Sequence, residues 1–466
     1  MHRFHTVIST FLCLASAANA ASQPNKLNVL FLFSDDQRAD TIAALGNQHV
    51  QTPNLDRLVK NGTTFTRAYC MGSQQGAVCV PSRAMVLTGR TLFRVQEQLK
   101  GQATWPEAFA RAGYATFVSG KWHNGQPSLL RCFQLGKGVF FGGMGNPYDL
   151  PVSDVSPTHE LVNKRKSGKH SVELFSDEVI GFLKSRPKDK PFFAYVPFNL
   201  PHDPRTAPKK FHDHYYSAKP PLPPNYLPQH PFNNGEMVVR DEKLAPWPRT
   251  KDVVQQHLAD YYAAISFLDE QIGRILDTLA SEGLANSTII VFASDHGLAI
   301  GSHGLFGKQN LYEHSMRVPL IFAGPGIPKD QRKDAFAYLF DIYPTVGETC
   351  GVAAPDGSEG KSLAPVILGK AAGVRDSIFT AYRDVQRAVR DERFHLIVYP
   401  HINKVQMFDL ASDPHETKDL AGERVFAPEV QRLTAMLRDW QSRLGDTQAL
   451  TSAKPQPPEF DFSKVK

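Results

Sequence analysis

The run "LNVLFLF", Leu27 to Phe33, is apolar at every position but Asn28. It does not alternate, so it does not describe a strand with one wet face; it fits a strand covered on both sides by helices. A second such run, "STIIVFA", ends at "SDHG", as the first ends at "SDD". "YATFVSG" and "PFFAYVPF" read as further strands of the same kind. Helical patterns are interleaved with them: "TPNLDRLVKNG", with Thr52 as cap, Pro53 in the first turn and Gly62 as stop, then "TWPEAFARAG" and "VELFSDEVIGFLKS". In the long "HLADYYAAISFLDEQIGRILDTLASEG", Leu258, Ile265, Leu268, Ile272, Ile275 and Leu279 form one apolar stripe. The alternation predicts an α/β fold.

From Ala207 to Thr250 the chain is Pro-rich, includes "KPPLPPNYLPQHP", and has no clean period. It reads as a long insertion packed over the surface. The last hundred or so residues hold strand-like "DSIFTAYR" and "FHLIVYP" and the helix "APEVQRLTAMLRDWQSRLG". They predict a smaller C-terminal α+β subdomain, with a loosely ordered tail after Thr451. The expected division is a signal segment over 1–20, a main α/β domain over 24–368 and the subdomain over 369–466.

The start of the chain combines His2 and Arg3, the apolar "TVISTFLCLA" and the small-residue end "ANA" at Ala18 to Ala20. That pattern is a cleaved secretory signal and predicts a periplasmic or extracellular protein. Cys13 lies inside the apolar stretch behind bulky Phe11 and Leu12, which argues against a lipid anchor. Beyond it no segment is long and apolar enough to predict an integral membrane span. The balance of 52 Lys+Arg against 46 Asp+Glu is dispersed along the chain, with no basic run to track a phosphate backbone, so no nucleic-acid partner is expected. Cys70, Cys79, Cys132 and Cys350 remain after the signal is removed, too few for a disulfide framework. Cys132 and Cys350 read as plain buried small residues.

Asp35 and Asp36 end one predicted buried strand, and Asp295 and His296 end another. Ligands of open α/β sheets bind outside the carboxyl ends of strands, so the four residues can converge. Any one of these acids alone is explained as a cap or turn residue. Three carboxylates massed together repel one another, and a divalent cation resolves that. The oxygen-rich set favours Ca²⁺ or Mg²⁺, whereas the imidazole suits Zn²⁺ or Mn²⁺ better. Basic groups sit at similar places: Lys121 and His123 in "GKWHNG", His202 in "LPHDP" and Lys308 in "HGLFGKQNLYEH". A lone His after a strand is ordinarily a hydrogen-bonded loop residue. Four such groups around one metal make a site that neutralises a tetrahedral oxyanion and protonates a leaving group.

"CVPSRAMVLTGR", Cys79 to Arg90, resembles the signature of type I sulfatases, Cys-X-Pro-Ser-Arg followed by Leu-Thr-Gly-Arg. "NVLFLFSDD", "GKWHNG", "LPHDP" and "SDHGLAIGSHGLFGKQNLYEHSMRVPLI" are similar to the family's other blocks, in order, and the likeness runs to "MFDLASDPHETKDLA". The resemblance implies an alkaline-phosphatase-like large mixed sheet flanked by helices. It also implies oxidation of Cys79 to formylglycine (3-oxoalanine) by a formylglycine-generating or anaerobic sulfatase-maturating enzyme that reads Pro81 and Arg83. It implies one Ca²⁺ held by Asp35, Asp36, Asp295, His296 and modified Cys79. Arg83 would hold the hydrated aldehyde, Lys121 and Lys308 the sulfate oxygens, and His123 the nucleophilic hydroxyl. His202 would protonate the leaving alcohol, with Lys308 the second choice, and Arg317 would be structural. The expected substrate is a sulfated carbohydrate, selected by the loop "CMGSQQGAV", the Pro-rich insertion and "TAYRDVQRAV".

Two other readings compete. A phosphomonoester or phosphonate-ester hydrolase of the same superfamily would favour a second metal or more cations, and no second ligand set is legible. A secreted protein that binds sulfated glycans through Lys121, Lys308 and Arg83, with Cys79 unmodified, would not need the intact signature and the complete acid and base set.

Overall fold

Asn28–Ser34 lies near the middle of an 11-stranded sheet, with every residue buried. Its alternate residues serve opposite cores. Leu30 and Leu32 pack with helices Pro53–Lys60, Ser171–Ser185 and Lys251–Ser281. Val29, Phe31 and Phe33 pack with Cys79–Thr88, Trp105–Arg111 and Ile342–Cys350 on the other face. This double coverage is why the run shows no polar alternation. The computed structural model describes residues 26–462; the expected signal segment, residues 1–20, lies outside them.

The strand pairs in parallel with Phe192–Pro197 on one side and Thr288–Ser294 on the other, with Ser34 level with Ser294. Two parallel strands ending on the same rung place Asp35 and Asp36 beside Asp295 and His296. Ala115–Val118 runs parallel to Phe192–Pro197 and delivers Lys121 to the same edge. Toward both margins the pairing turns antiparallel, through Leu320–Ala323 and Gly62–Tyr69 at one end and Pro151–Val155 and Leu161–Lys166 at the other. The large mixed sheet flanked by helices is therefore as expected.

A second sheet joins Lys404–Asp409, Phe394–Tyr399, Gln386–Arg390 and Ile378–Tyr382 in antiparallel order. Its fifth strand is Gly72–Ser73, which pairs in parallel with Ala381 and Tyr382. The small sheet thus grips the segment that leads into Cys79.

Local details depart from the sequence reading. The Thr52 hydroxyl does not cap its helix; it accepts from the Ala43 amide at 2.8 Å and donates to Asp56. Asp269 of the long helix takes the orphan amides of Asn54 and Leu55 instead. Gly62 already belongs to the next strand, where a Cβ would meet the Phe322 carbonyl at 2.2 Å. The Pro-rich insertion is more than a surface wrap. It contains the helix Lys209–Ala218 and the short turn Arg240–Leu244, and it buries Glu242 and Arg249 as a pair 2.7 Å apart. Glu242 also accepts the amides of Phe306 and Gly307, so the insertion is bolted to the loop carrying Lys308. The tail, expected to be loose, is tied down: the Gln456 amide donates to the His401 carbonyl, the Asn233 amide donates to the Pro458 carbonyl, and Phe462 meets Trp247. Cys70, Cys79, Cys132 and Cys350 are all free and buried. Among the described residues no helix is long and apolar enough to cross a membrane.

Candidate active site

Cys79 opens the buried helix Cys79–Thr88, which ends at Gly89 in the left-handed conformation. Pro81 falls in its first turn, where no intrahelical amide bond is lost. One ligand atom each of Asp35, Cys79, Asp295 and His296 comes within 4.8 Å of all the others. Asp36 adopts the left-handed region, at φ 66°, and its carboxylate stands 3.4 Å from His296 Nδ1. Asp35 Oδ1, Asp295 Oδ2 and His296 Nε2 are buried without a hydrogen bond, and Arg83 Nη2 faces the two carboxylate oxygens at 3.5 and 3.1 Å. One guanidinium against two buried carboxylates and an imidazole leaves acceptor capacity that a further cation would satisfy. Mostly carboxylate oxygen, one nitrogen and the position of Cys79: the donor set fits a divalent cation.

The electrostatics agree. Burial pushes Asp295 up to about 7, helped by the neighbouring Asp35 charge. Burial opposes but does not prevent the rise of His296 to about 9, driven by Asp295 and Asp36. Asp35 would be raised by burial too, yet Lys121 and Arg83 hold it well below the usual carboxylate range. A crowd of buried acids in which one is pushed toward neutrality is what a cation would relieve.

The basic residues surround this group. Lys121 Nζ lies 2.5 Å from Asp35 Oδ2 and 3.9 Å from Cys79 Sγ, with both charged partners fully buried. His123 Nδ1 is 3.3 Å from Cys79 Sγ. Lys308 Nζ donates to both oxygens of Asp36, at 2.9 and 3.1 Å. His202 Nε2 is 3.9 Å from Asp36 Oδ2, and its Nδ1 is 2.7 Å from the Asp203 carbonyl. Burial raises the Cys79 thiol, but Lys121 and Lys308 outweigh it and bring the thiol well below its ordinary value. Arg83, 1% exposed, reaches Asp295 at 3.1 Å, Asp35 at 3.5 Å and the Lys121 carbonyl at 3.3 Å. It therefore braces the carboxylates, and its charge is also felt by Cys79. Arg317 bridges Glu313 and donates to the Thr66 carbonyl, a framework position.

All ten sequence-selected residues thus meet at one sheet edge. Over Cys79 lies a cavity of about 330 Å³, walled by His123, His202 and Lys308 and also by Met144, Arg240, Asp241 and Gln309. Sequence reasoning missed the last four, which sit on loops with no periodic signal. It also found no second ligand set, whereas Asp36, His202 and Asp203 do converge within 4.8 Å. That second cluster is already neutralised: Lys308 binds Asp36 and Arg240 binds Asp203 through two contacts.

The family model described as Sulfatase matches residues 27–352, and the one described as N-sulphoglucosamine sulphohydrolase, C-terminal, matches residues 301–443. A sulfatase of Formosa agariphila is 30% identical, over 89% of this chain and 86% of the relative. The N-acetylglucosamine-6-O-sulfatase of Bacteroides thetaiotaomicron is 27% identical, over 93% of this chain and 90% of the relative. A structure solved in complex with its substrate D-glucosamine-2-N,6-O-disulfate superposes with a TM-score of 0.77 at 23% identity, covering 91% of this chain and 99% of the other.

Proposed function

The chain belongs to the sulfatase family and is a sulfuric ester hydrolase, and from that premise we propose that it removes sulfate from carbohydrates through a formylglycine made from Cys79, with one Ca²⁺ held by Asp35, Asp36, Asp295, His296 and residue 79. The observation that carries the reading is the seat of Cys79: it lines the cavity, its sulfur converges with ligand atoms of Asp35, Asp295 and His296, and it is within reach of Lys121 and His123. The carbohydrate assignment draws on what the relatives named above act on. Export, and a division into a catalytic domain over 24–368 and a C-terminal subdomain over 369–466, are part of the same proposal.

In this reading a hydroxyl of the hydrated aldehyde at residue 79 attacks sulfur, and the bond from sulfur to the substrate's alcohol oxygen breaks. Ca²⁺ held by Asp35, Asp36, Asp295 and His296 would supply Lewis acidity to the site. Lys121 and Lys308 neutralise the sulfate oxygens, and His123 Nδ1 orients the attacking hydroxyl and takes its proton as the bond to sulfur forms. His202 has its Nδ1 tied to the Asp203 carbonyl, which leaves Nε2 as the proton donor to the departing alcohol oxygen. The remaining hydroxyl of residue 79 then gives its proton to the imidazole of His202, which the first step left neutral; the bond from its carbon to the sulfated oxygen breaks, sulfate departs and the aldehyde returns. Pro81 and Arg83 are buried in the fold, so the maturation enzyme would read them before folding is complete.

The phosphate-ester alternative would favour a second metal, and the Asp36, His202 and Asp203 cluster is instead compensated by Lys308 and Arg240. The test is release of inorganic sulfate from a panel of sulfated mono- and oligosaccharides, beside aryl sulfates, choline sulfate and phosphate esters, using protein from a maturation-competent host. Sugar sulfates are expected to lead, and Cys79→Ala to abolish turnover with the fold intact. Faster turnover of phosphate or choline esters, or parental activity in Cys79→Ala, contradicts the proposal.

A further inference from the structure

The cavity over Cys79 is also lined by Arg240, Asp241 and Gln309, none of which binds the sulfate or the cation in the scheme above. Asp241 is 6% exposed and held from two sides: Arg240 Nη2 bridges one carboxylate oxygen, and Gln309 Nε2 donates to the other at 2.8 Å. Gln309 is itself fixed, donating to the Gly76 carbonyl at 3.1 Å and accepting from the Lys308 amide at 3.0 Å. Each carboxylate oxygen of Asp241 keeps a second lone-pair direction.

Arg240 adds a cation at the rim, 45% exposed, but its charge is spent. The same guanidinium binds both oxygens of Asp203 and one of Asp241, so the trio carries a net negative charge. The other cations lining the cavity belong to the sulfate end: Lys308 is bound to Asp36 and lies 4.0 Å from Asp241. Burial disfavours ionisation of Asp241, but Lys308 and Arg240 more than compensate and keep it an anion. Met144, 44% exposed, gives the same cavity an apolar side.

Resting on the sulfatase reading, we infer that Asp241, clasped by Arg240 and Gln309, is a specificity residue that accepts hydrogen bonds from hydroxyl or ammonium groups of the leaving unit and repels a second anionic group there. The preferred substrate is thus a singly sulfated, otherwise neutral or amino-bearing sugar unit, not a uronate or a multiply sulfated one. An anion entering the cavity would meet a fixed, partly desolvated like charge whose cationic neighbours, Arg240 and Lys308, are each already shared with a second carboxylate.

The test compares phenyl sulfate with its 3-carboxy and 3-aminomethyl derivatives, each rate divided by its uncatalysed hydrolysis rate. Probes that are cleaved are ranked by kcat/KM, and any that is not is ranked by its inhibition of sugar-sulfate turnover. The carboxylate probe is expected to fall roughly tenfold or more below phenyl sulfate, with the aminomethyl probe equal or better, as a single poorly screened like charge dictates. In Asp241→Asn the gap between carboxylate and amine should shrink severalfold. A purely structural role would lower all probes alike and leave the ratio unchanged. Equal or better use of the carboxylate probe by the parent enzyme, or an unchanged ratio in Asp241→Asn, overturns the inference while leaving the sulfatase reading standing. Absence of sulfate release from every sulfate ester overturns both.

Discussion

Replacing Lys121 by Met keeps most of the side-chain volume and removes one charge. In the parent, Nζ is 2.5 Å from Asp35 Oδ2 and neither side chain has any exposure. At an effective dielectric of about 20, that separation corresponds to a gross attraction of roughly 6 to 7 kcal/mol, against a desolvation cost of several kcal/mol per ion. Breaking one half of such a pair ordinarily costs about 3–5 kcal/mol, because the remaining charge is left bare. Asp35 keeps Arg83 at 3.5 Å, which places the expected loss at the lower end of that range. Two readouts separate stability from catalysis. In thermal unfolding, Lys121→Met should melt well below the parent in chelator and recover much of the gap in excess Ca²⁺, since the cation neutralises Asp35. In sulfate release at saturating Ca²⁺, kcat should remain depressed by about 10²–10³-fold, the usual cost of losing one preorganised donor to developing charge. A variant that melts like the parent in chelator, or that regains full kcat with Ca²⁺, would refute the reasoning that Lys121 both compensates Asp35 and contacts the sulfate.

Chelation of the matured enzyme should abolish turnover, and Ca²⁺ re-addition should restore it; restoration by Zn²⁺ alone would move the donor set toward His296-dominated coordination. His202→Gln should lower kcat most for sulfates of poor, alkyl leaving groups and least for aryl sulfates, which depart without a proton; equal losses on both would remove His202 from the role of acid. Burial holds His170 down to about 4, and its Nδ1 accepts the Val172 amide at the head of Ser171–Ser185. A folded value below the ordinary 6.5 means that this contribution, at most about 3 kcal/mol, is fully present above pH 6.5 and is lost as the pH falls toward 4. The melting gap between the parent and His170→Asn, which keeps an acceptor but cannot titrate, should shift steadily against the parent across that window; a gap independent of pH would contradict the neutral imidazole.

The parts of the site carried on buried strands were readable in the sequence. A short, continuous apolar run such as Val29 to Phe33 fits a doubly covered strand, and acids at its carboxyl end have one edge of the sheet to occupy. Asp35, Asp36, Asp295 and His296 follow from that. The edge strand Leu161–Lys166 is polar at four of its six positions and half exposed, and its identity comes from pairing with Pro151–Val155 rather than from pattern. Gly72–Ser73 is a strand only because Ala381 and Tyr382 lie beside it. Asp241 and Gln309 were invisible for a related reason. Their meeting depends on the insertion being pinned through Glu242 to the amides of Phe306 and Gly307, a tertiary contact that no local spacing announces. The Pro-rich insertion is expected to help select the substrate, but its composition does not reveal that Arg240 and Asp241 are the residues that line the cavity.

The most direct test of the central claim is mass spectrometry of the peptide spanning Cys79, from protein made in its native or another maturation-competent host. Conversion of CH₂SH to CHO predicts a loss of about 18 Da relative to cysteine at residue 79. An unmodified thiol there, in a host that converts a control sulfatase, would contradict the account.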